Sequence, residues 1–373
     1  MSLFIDIHAL QTLPPSNINR DDTGSPKTAT FGGVPRQRVS SQSWKHAIRH
    51  DLKDRLAPEE LGLRTKRVVA KIAQEIMKQD ASWELKAAEA SAEALLKTAG
   101  FTIAKSKKNA DNEGAVPEVG YLLFLSNRQI SNAAQAIISG ETIAKKEAKE
   151  IFDQQHSIDI AMFGRMVADD ASYNVDAAVQ VAHALGVAEA EPEFDYFTAV
   201  DDAVRDAEET GAGMIGTVEM MSSTLYRYAT VNLDGLTENL GDTEAAIKAT
   251  REFVASFISS MPTGKQNTFA NRTLPEAVIV SVREDRPVSW VNAFETPVSQ
   301  NAESGLREQT ARQLAEEATA IDDIYDAAPR ASWVMALPAL KTELEKLGES
   351  VNRTALLDNL TETLTTLTAE GEK

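Results

Sequence analysis

The sequence predicts an α+β fold, one antiparallel sheet with helices on one side, and three observations predict it. Short segments rich in β-branched and aromatic residues recur along the 373-residue chain. Between them lie longer stretches with the apolar spacing and alanine content of helices. Their order is strand, helical insertion, strand, excursion, strand, helix, strand, helix, not the strict alternation that builds a parallel sheet.

The first strand is SLFIDIHAL (2–10), with Leu3, Ile5 and Ile7 on one face and Phe4, Asp6 and His8 on the other. His8 has no partner at catalytic or ligand spacing, so it reads as structural. From 59 to 100 the pattern is helical and closes on Gly100. The stretch 104–118 is polar, and helices are expected at 126–138 and 141–155. SIDIAMFGRM (157–166) alternates like a strand. AAVQVAHALGV (177–187) fits either a strand or, on its alanines, a helix. STLYRYATVNL (223–233) is the best strand in the chain. A helix at 243–260, a basic loop TGKQNTFANR (263–272), the strand PEAVIVSVRED, a helix near 305–328, the strand SWVMALP and two polar helices complete the chain. RNA-recognition folds share this plan.

One stretch stands apart chemically. Residues 17–55 form a glycine- and proline-bearing loop that runs into a helix, with Arg20, Lys27, Arg36 and Arg38 on the loop and Lys45, Arg49 and Lys53 on the helix. Ser40 and Ser41 suit an N-cap. Trp44, Ile48, Leu52 and Leu56 make a four-residue stripe for burial, and the helix cations run beside it, facing out. A helix start offers unpaired N–H groups and partial positive charge, so SSQS is a candidate phosphate seat. Gly32 and Gly33 permit a backbone angle or a close approach that other residues refuse.

Composition limits the function classes. With no cysteine, disulfide and thiol chemistry are excluded. No Walker, Rossmann or HExxH pattern occurs, and the five histidines are scattered. No signal peptide or spanning segment is read, so a cytoplasmic location is expected. The net charge of −18 argues against indiscriminate coating of nucleic acid. It is unevenly spread: residues 1–55 hold eight basic and five acidic residues, and 188–222 hold ten acidic residues and one basic. That acidic excursion also carries Phe194, Tyr196, Phe197, Val200, Met214 and Ile215, a satellite core or a wedge for a partner.

FIDIHAL, PSNINRDDTGSPKTATFGG and R-x-R-V-S-S-Q-S-x-K-x-A-x-R closely resemble the CasC backbone subunit of the type I-E CRISPR Cascade complex. The resemblance continues through DIAMFGRM, VQVAHAL, DYFTAVDD, LYRYATVNL, GKQNTFA and NAFE. It implies a non-enzymatic, right-hand-shaped protein: a ferredoxin-like or RRM-like palm (1–56, 157–187, 223–373), helical fingers (57–156) and a thumb (188–222). Copies would line up along a CRISPR RNA with other Cascade subunits, each thumb interrupting the guide, whose exposed bases pair with target DNA. No cofactor or metal is implied. Carried onto this chain, Arg20, Lys27, Arg38, Ser40, Gln42, Lys45 and Arg49 would hold phosphates without reading bases, with Arg165 and Lys265 as further contacts. Phe197 and Val200 match the thumb wedge and Met166 a stacking partner from the palm. Lys105, Lys107 and Lys108, or Lys145, Lys146 and Lys149, are candidates for attracting target duplex.

Two other readings stand beside this one. In related type III complexes a first-loop aspartate cuts RNA with a divalent metal, and Asp21 and Asp22 occupy that loop here, although no third ligand is visible. Alternatively, the chain is an acidic scaffold that binds only proteins.

Overall fold

The computed structural model describes residues 2–104, 116–199, 214–299 and 304–371. Val200, Lys105, Lys107 and Lys108 lie outside these residues. The chain is a mixed α+β protein with a large, mostly antiparallel sheet, and it divides into two compact units. The first comprises 1–51, 181–230 and 253–373, the second 52–180 and 231–252.

Most of the sheet lies in the first unit. Its path runs Glu349–Ser350, Ala331–Ala336, Ala277–Arg283, Phe4–Ser16, Met214–Asn232, Ala184–Gly186, Val34–Val39 and Thr28–Phe31, with Glu193–Ala199 paired to Met214–Asn232. Phe4–Ser16 lies antiparallel to Ala277–Arg283, with Ile7 opposite Val280. Ala331–Ala336 and Glu349–Ser350 pair in parallel. Ala277–Arg283 is buried along its whole length, and Phe4–Ser16 along most of it, so both faces of these central strands are covered. A core of Leu10, Ile279, Val334 and Trp290 packs with Leu314, Ala315 and Ala318 of the helix Leu306–Tyr325.

Burial of both strand faces explains His8. Its ring stacks on Trp290 at 3.6 Å between centroids, and Nδ1 lies 2.8 Å from the Tyr226 hydroxyl. Burial first, then the charge of Arg283, holds the imidazole well below its usual range, so it is a neutral core group.

The second unit is chiefly helical. Val68–Gln79, Leu85–Ala99, Asn127–Ile138 and Lys145–Asp153 bury Ile72 and Ile76, Leu95 and Leu96, Ala133 and Ala134, and Phe152 in one cluster. Gly100 ends the second of these helices with φ 104°, as a C-terminal glycine should. Ser126 opens the third with a capping box: its hydroxyl accepts from the Gln129 N–H at 2.9 Å, and Gln129 Oε1 accepts from the Ser126 N–H at 3.0 Å.

Several segments depart from the expectation: Thr28–Phe31 and Val34–Val39, expected as loop, are strands, and so is Gly62–Thr65 inside the stretch expected to be helical. Residues 158–163 form a helix, not a strand. The alternation IDIAMF suggested one wet face, but Asp159 is buried. Its carboxylate accepts from the Gly62 N–H at 2.9 Å and the Ser157 hydroxyl at 2.6 Å. With its polar member satisfied internally, the segment is buried all round and periodicity loses its meaning. Residues 177–187, open between strand and helix, contain the short strands Val179–Val181 and Ala184–Gly186.

Candidate functional site

The basic loop and helix fold as one piece on the first unit. Thr28–Phe31 and Val34–Val39 make a hairpin whose two-residue turn is Gly32–Gly33, with φ of 60° and 79°. Positive φ at both turn positions matches the twist of paired strands, and glycine adopts it without strain. Gly32 is also a close approach, since a Cβ there would fall 1.6 Å from the Glu295 carbonyl oxygen.

The preceding loop closes on itself through an Arg20–Pro26 bridge. Asp21 anchors it: one carboxylate oxygen accepts from the Thr23 N–H at 2.9 Å, the Thr23 hydroxyl at 2.7 Å and the Ser25 N–H at 3.0 Å. The hydroxyl bond, more than the others, holds this carboxyl below its usual range. Asp21 is thus a turn-forming aspartate, and Asp22 is exposed beside it. Among the described residues no group of three or more metal-ligating side chains gathers here.

Asn19 ties this loop to the helix. Its carbonyl accepts the Lys27 N–H at 2.9 Å, and its side chain accepts the Ser40 N–H at 2.8 Å. The Lys27 carbonyl in turn accepts the Arg38 N–H at 2.9 Å. These bonds draw Lys27, Arg38 and Ser40 together, with Arg20 exposed on the same loop. The helix Ser41–Asp51 then starts with two of its orphan donors answered from within the chain. Ser43 N–H reaches Ser40 Oγ at 3.3 Å, and Ser41 N–H donates to His183 Nδ1 at 2.9 Å. His183 is therefore a capping residue that sequence spacing did not single out. Partial burial first, then Arg38 and Lys27, lowers its pKa, which keeps the accepting nitrogen free of a proton.

Along the helix, Trp44 and Ile48 are buried, as is Leu52 beyond it. Gln42 is exposed, and Lys45 and Arg49 are half-buried beside the stripe. Burial lowers the pKa of Lys45, the mark of an ammonium held against protein. Lys265 is half-buried, at a left-handed φ of 50°, on a segment whose Gly264 packs against the Ile18 carbonyl. Gly264 and residues 18–24 line one cleft of about 510 Å³.

Two arginines leave the cationic surface. Arg36 is fully buried, and its guanidinium donates to the carbonyls of Gly186, Val187, Phe294 and Glu295 at 2.8–3.2 Å. It is a brace, not a surface charge. Arg165, expected at phosphate, is 4 % exposed in the second unit and donates to the carbonyls of Tyr173 at 2.8 Å and Phe152 at 3.0 Å. Burial pushes it down to about 10, against the opposing pull of Asp153. Its Nε, Nη1 and Nη2 groups each donate inside the unit, which leaves this residue out of the cationic face. Met166, the next residue, is 82 % exposed. Lys149 pairs with Asp170 at 2.6 Å, and Lys146 lies 3.8 Å from Glu150.

On the hairpin of Glu193–Ala199 with Met214–Asn232, Phe197 faces Gly216. Its ring lies over that glycine, where a Cβ would come within 2.4 Å of Cζ. Phe194 and Tyr196, on the opposite face, are 68 % and 63 % exposed against 38 % for Phe197.

The fold and this surface define a mixed α+β protein with a cationic face assembled from a pinned loop, a capped helix start and a neighbouring glycine–lysine segment. The chain belongs to the CT1975-like protein family, whose pattern matches residues 5–363. It is similar, at 34 % identity and a TM-score of 0.83, to a solved chain described as "CRISPR RNA-guided surveillance complex, pre-nicking", covering 97 % of this chain and 100 % of that one. A second, described as "CRISPR RNA-guided surveillance complex", matches at 31 % identity and a TM-score of 0.74, covering 96 % and 99 %. No curated protein matches the chain. Among the described residues no helix is long and apolar enough to cross a membrane.

Proposed function

We propose that this protein is a CRISPR RNA-binding backbone subunit of a type I-E surveillance complex. Several copies pack along the guide, kink it at intervals and leave the bases between kinks free to pair with target DNA. The observation that carries this reading is the end-to-end similarity to chains of RNA-guided surveillance complexes, over an α+β core that we read as an RRM-like palm. The cationic face supports it. Arg20, Lys27, Arg38, Gln42, Lys45, Arg49 and Lys265 offer charge and hydrogen bonds, with buried Ser40 serving the helix cap, and contacts to backbone rather than bases suit a subunit that must accept any guide sequence. Exposed Met166 and the aromatic hairpin suit stacking against unstacked bases, as wedges do in bent nucleic acids. In this role the protein does no chemistry of its own; pairing reads the target and protein holds backbone and shape, as in other RNA-guided systems.

The test is co-expression with a CRISPR array, followed by native mass measurement. A multimer carrying one protected RNA is expected, and K45E with R49E should release the RNA while leaving the melting transition in place. A nucleic-acid-free monomer from the wild-type chain would overturn the reading.

A further inference from the structure

Beneath the basic helix lies an arginine that the cationic face does not contain. Arg227, on the long strand Met214–Asn232, is buried between two aromatic rings, 3.7 Å from the centroid of Trp44 and 4.2 Å from that of Phe257. Trp44 belongs to the buried stripe of the basic helix. One guanidinium nitrogen donates to Gln11 Oε1 at 2.7 Å and another to the Phe257 carbonyl at 2.6 Å. Gln11 passes the connection on: its amide nitrogen donates to the Thr273 carbonyl at 2.7 Å. Phe257 and Thr273 bracket the segment that carries Lys265, so one end of that segment is bonded to Arg227 and the other to its partner Gln11.

The segment needs such ties. Lys265 and Ala270 both sit at left-handed φ, 50° and 49°, which costs a non-glycine residue about 1 kcal/mol each. Asn271 is buried with neither side-chain polar atom bonded. Local preferences therefore oppose the conformation that presents Lys265, and outside contacts must impose it. On its outer side Gly264 meets the Ile18 carbonyl of the Arg20 loop, with room for nothing larger. On the inner side the tie is Arg227.

As a stability element Arg227 is a poor choice. Among the described residues no carboxylate pairs with it, and burial alone pushes it down to about 9. A buried charge without a counter-ion is costly, and an apolar residue of similar volume would fill the slot at less expense. What an apolar residue lacks is the planar fork, which stacks on rings while donating to acceptors on separate elements. We infer that Arg227 is a positioning residue: it couples the Lys265 segment to the basic helix, so that the two halves of the RNA face act as one surface. This inference rests on the RNA reading for its consequence and not for its mechanics.

The experiment uses the full-length chain with R227M, in which methionine fills the slot between the rings. In the RNA-free protein, trypsin should cut after Lys265 about tenfold faster than in wild type, with cleavage after Arg128 in the other unit unchanged. Binding of fluorescein-labelled single-stranded oligouridylate should weaken about tenfold. Adding K265A to R227M should cost little more, although K265A alone costs severalfold, because the uncoupled lysine has already lost its place. Wild-type cleavage at Lys265, or full additivity of the two substitutions, would overturn the inference. Should R227M fail to fold, Q11L keeps the arginine between its rings and bonded to the Phe257 carbonyl while removing its bond to Gln11 and the onward link to Thr273, and the same readouts decide. A wild-type chain that does not bind the RNA would fell the functional reading, while the trypsin comparison alone would still judge the coupling.

Discussion

Replacing Arg165 by glutamine separates a surface contact from an internal brace. Its two donations to the carbonyls of Tyr173 and Phe152 are charge-assisted and buried, a class contributing about 1.5–3 kcal/mol each. The pair with Asp153 adds little, because it spans 3.4 Å and the carboxylate side chain is 44 % exposed. Removing a desolvated cation returns part of the loss, which leaves a net destabilisation of about 3 kcal/mol. Amide exchange reads this locally. Peptides covering Phe101 and Tyr173, which stack at 5.0 Å in the core of the second unit, should exchange about a hundredfold faster, at 1.4 kcal/mol per decade. RNA affinity of the folded protein should change by no more than about twofold, and the salt slope should hold. Unchanged exchange, with RNA binding weakened and the salt slope reduced by about one, would mean that Arg165 touches phosphate after all.

Three further outcomes are expected. Gly32→Ala should destabilise by at least about 2 kcal/mol in urea titration, since φ of 60° is combined with overlap on the Glu295 carbonyl, whereas Gly33→Ala, with open space around it, should cost only about 1 kcal/mol. Acidification should weaken the start of the basic helix. The folded pKa of His183 lies below its unfolded value of 6.5, so the unfolded chain binds more protons between the two. Its contribution is then complete above pH 6.5 and falls away as pH drops through the folded pKa. H183A should flatten that part of the pH–melting curve, and an unaltered slope would remove the histidine from the cap. Asp21→Ala should loosen the loop, seen as faster trypsin cleavage after Arg20, without changing the fate of RNA incubated with Mg²⁺. Any Mg²⁺-dependent cleavage lost in this variant would favour the nuclease alternative.

Features whose cause lies within a few residues were legible in the sequence. The Trp44–Ile48 register specifies the buried side of the basic helix, the paired glycines mark an unusual backbone angle or close approach though not the hairpin built around it, and the β-branched run AVIVSVR reads as strand. The ordered motifs also carried the family. What the sequence could not express was which cations face water. Arg20, Arg36, Arg165 and Arg227 look alike in a row of letters. Whether a guanidinium is exposed depends on acceptors brought up from distant positions, Gly186 and Phe294 for Arg36, Gln11 and Phe257 for Arg227. The same holds for Asp159, whose partner Gly62 turned an apparent strand into a buried helix. Periodicity records where water is kept out on average. Only the tertiary structure supplies the individual hydrogen-bond partners that let a charge cross that boundary, and so decides which arginines remain for a ligand.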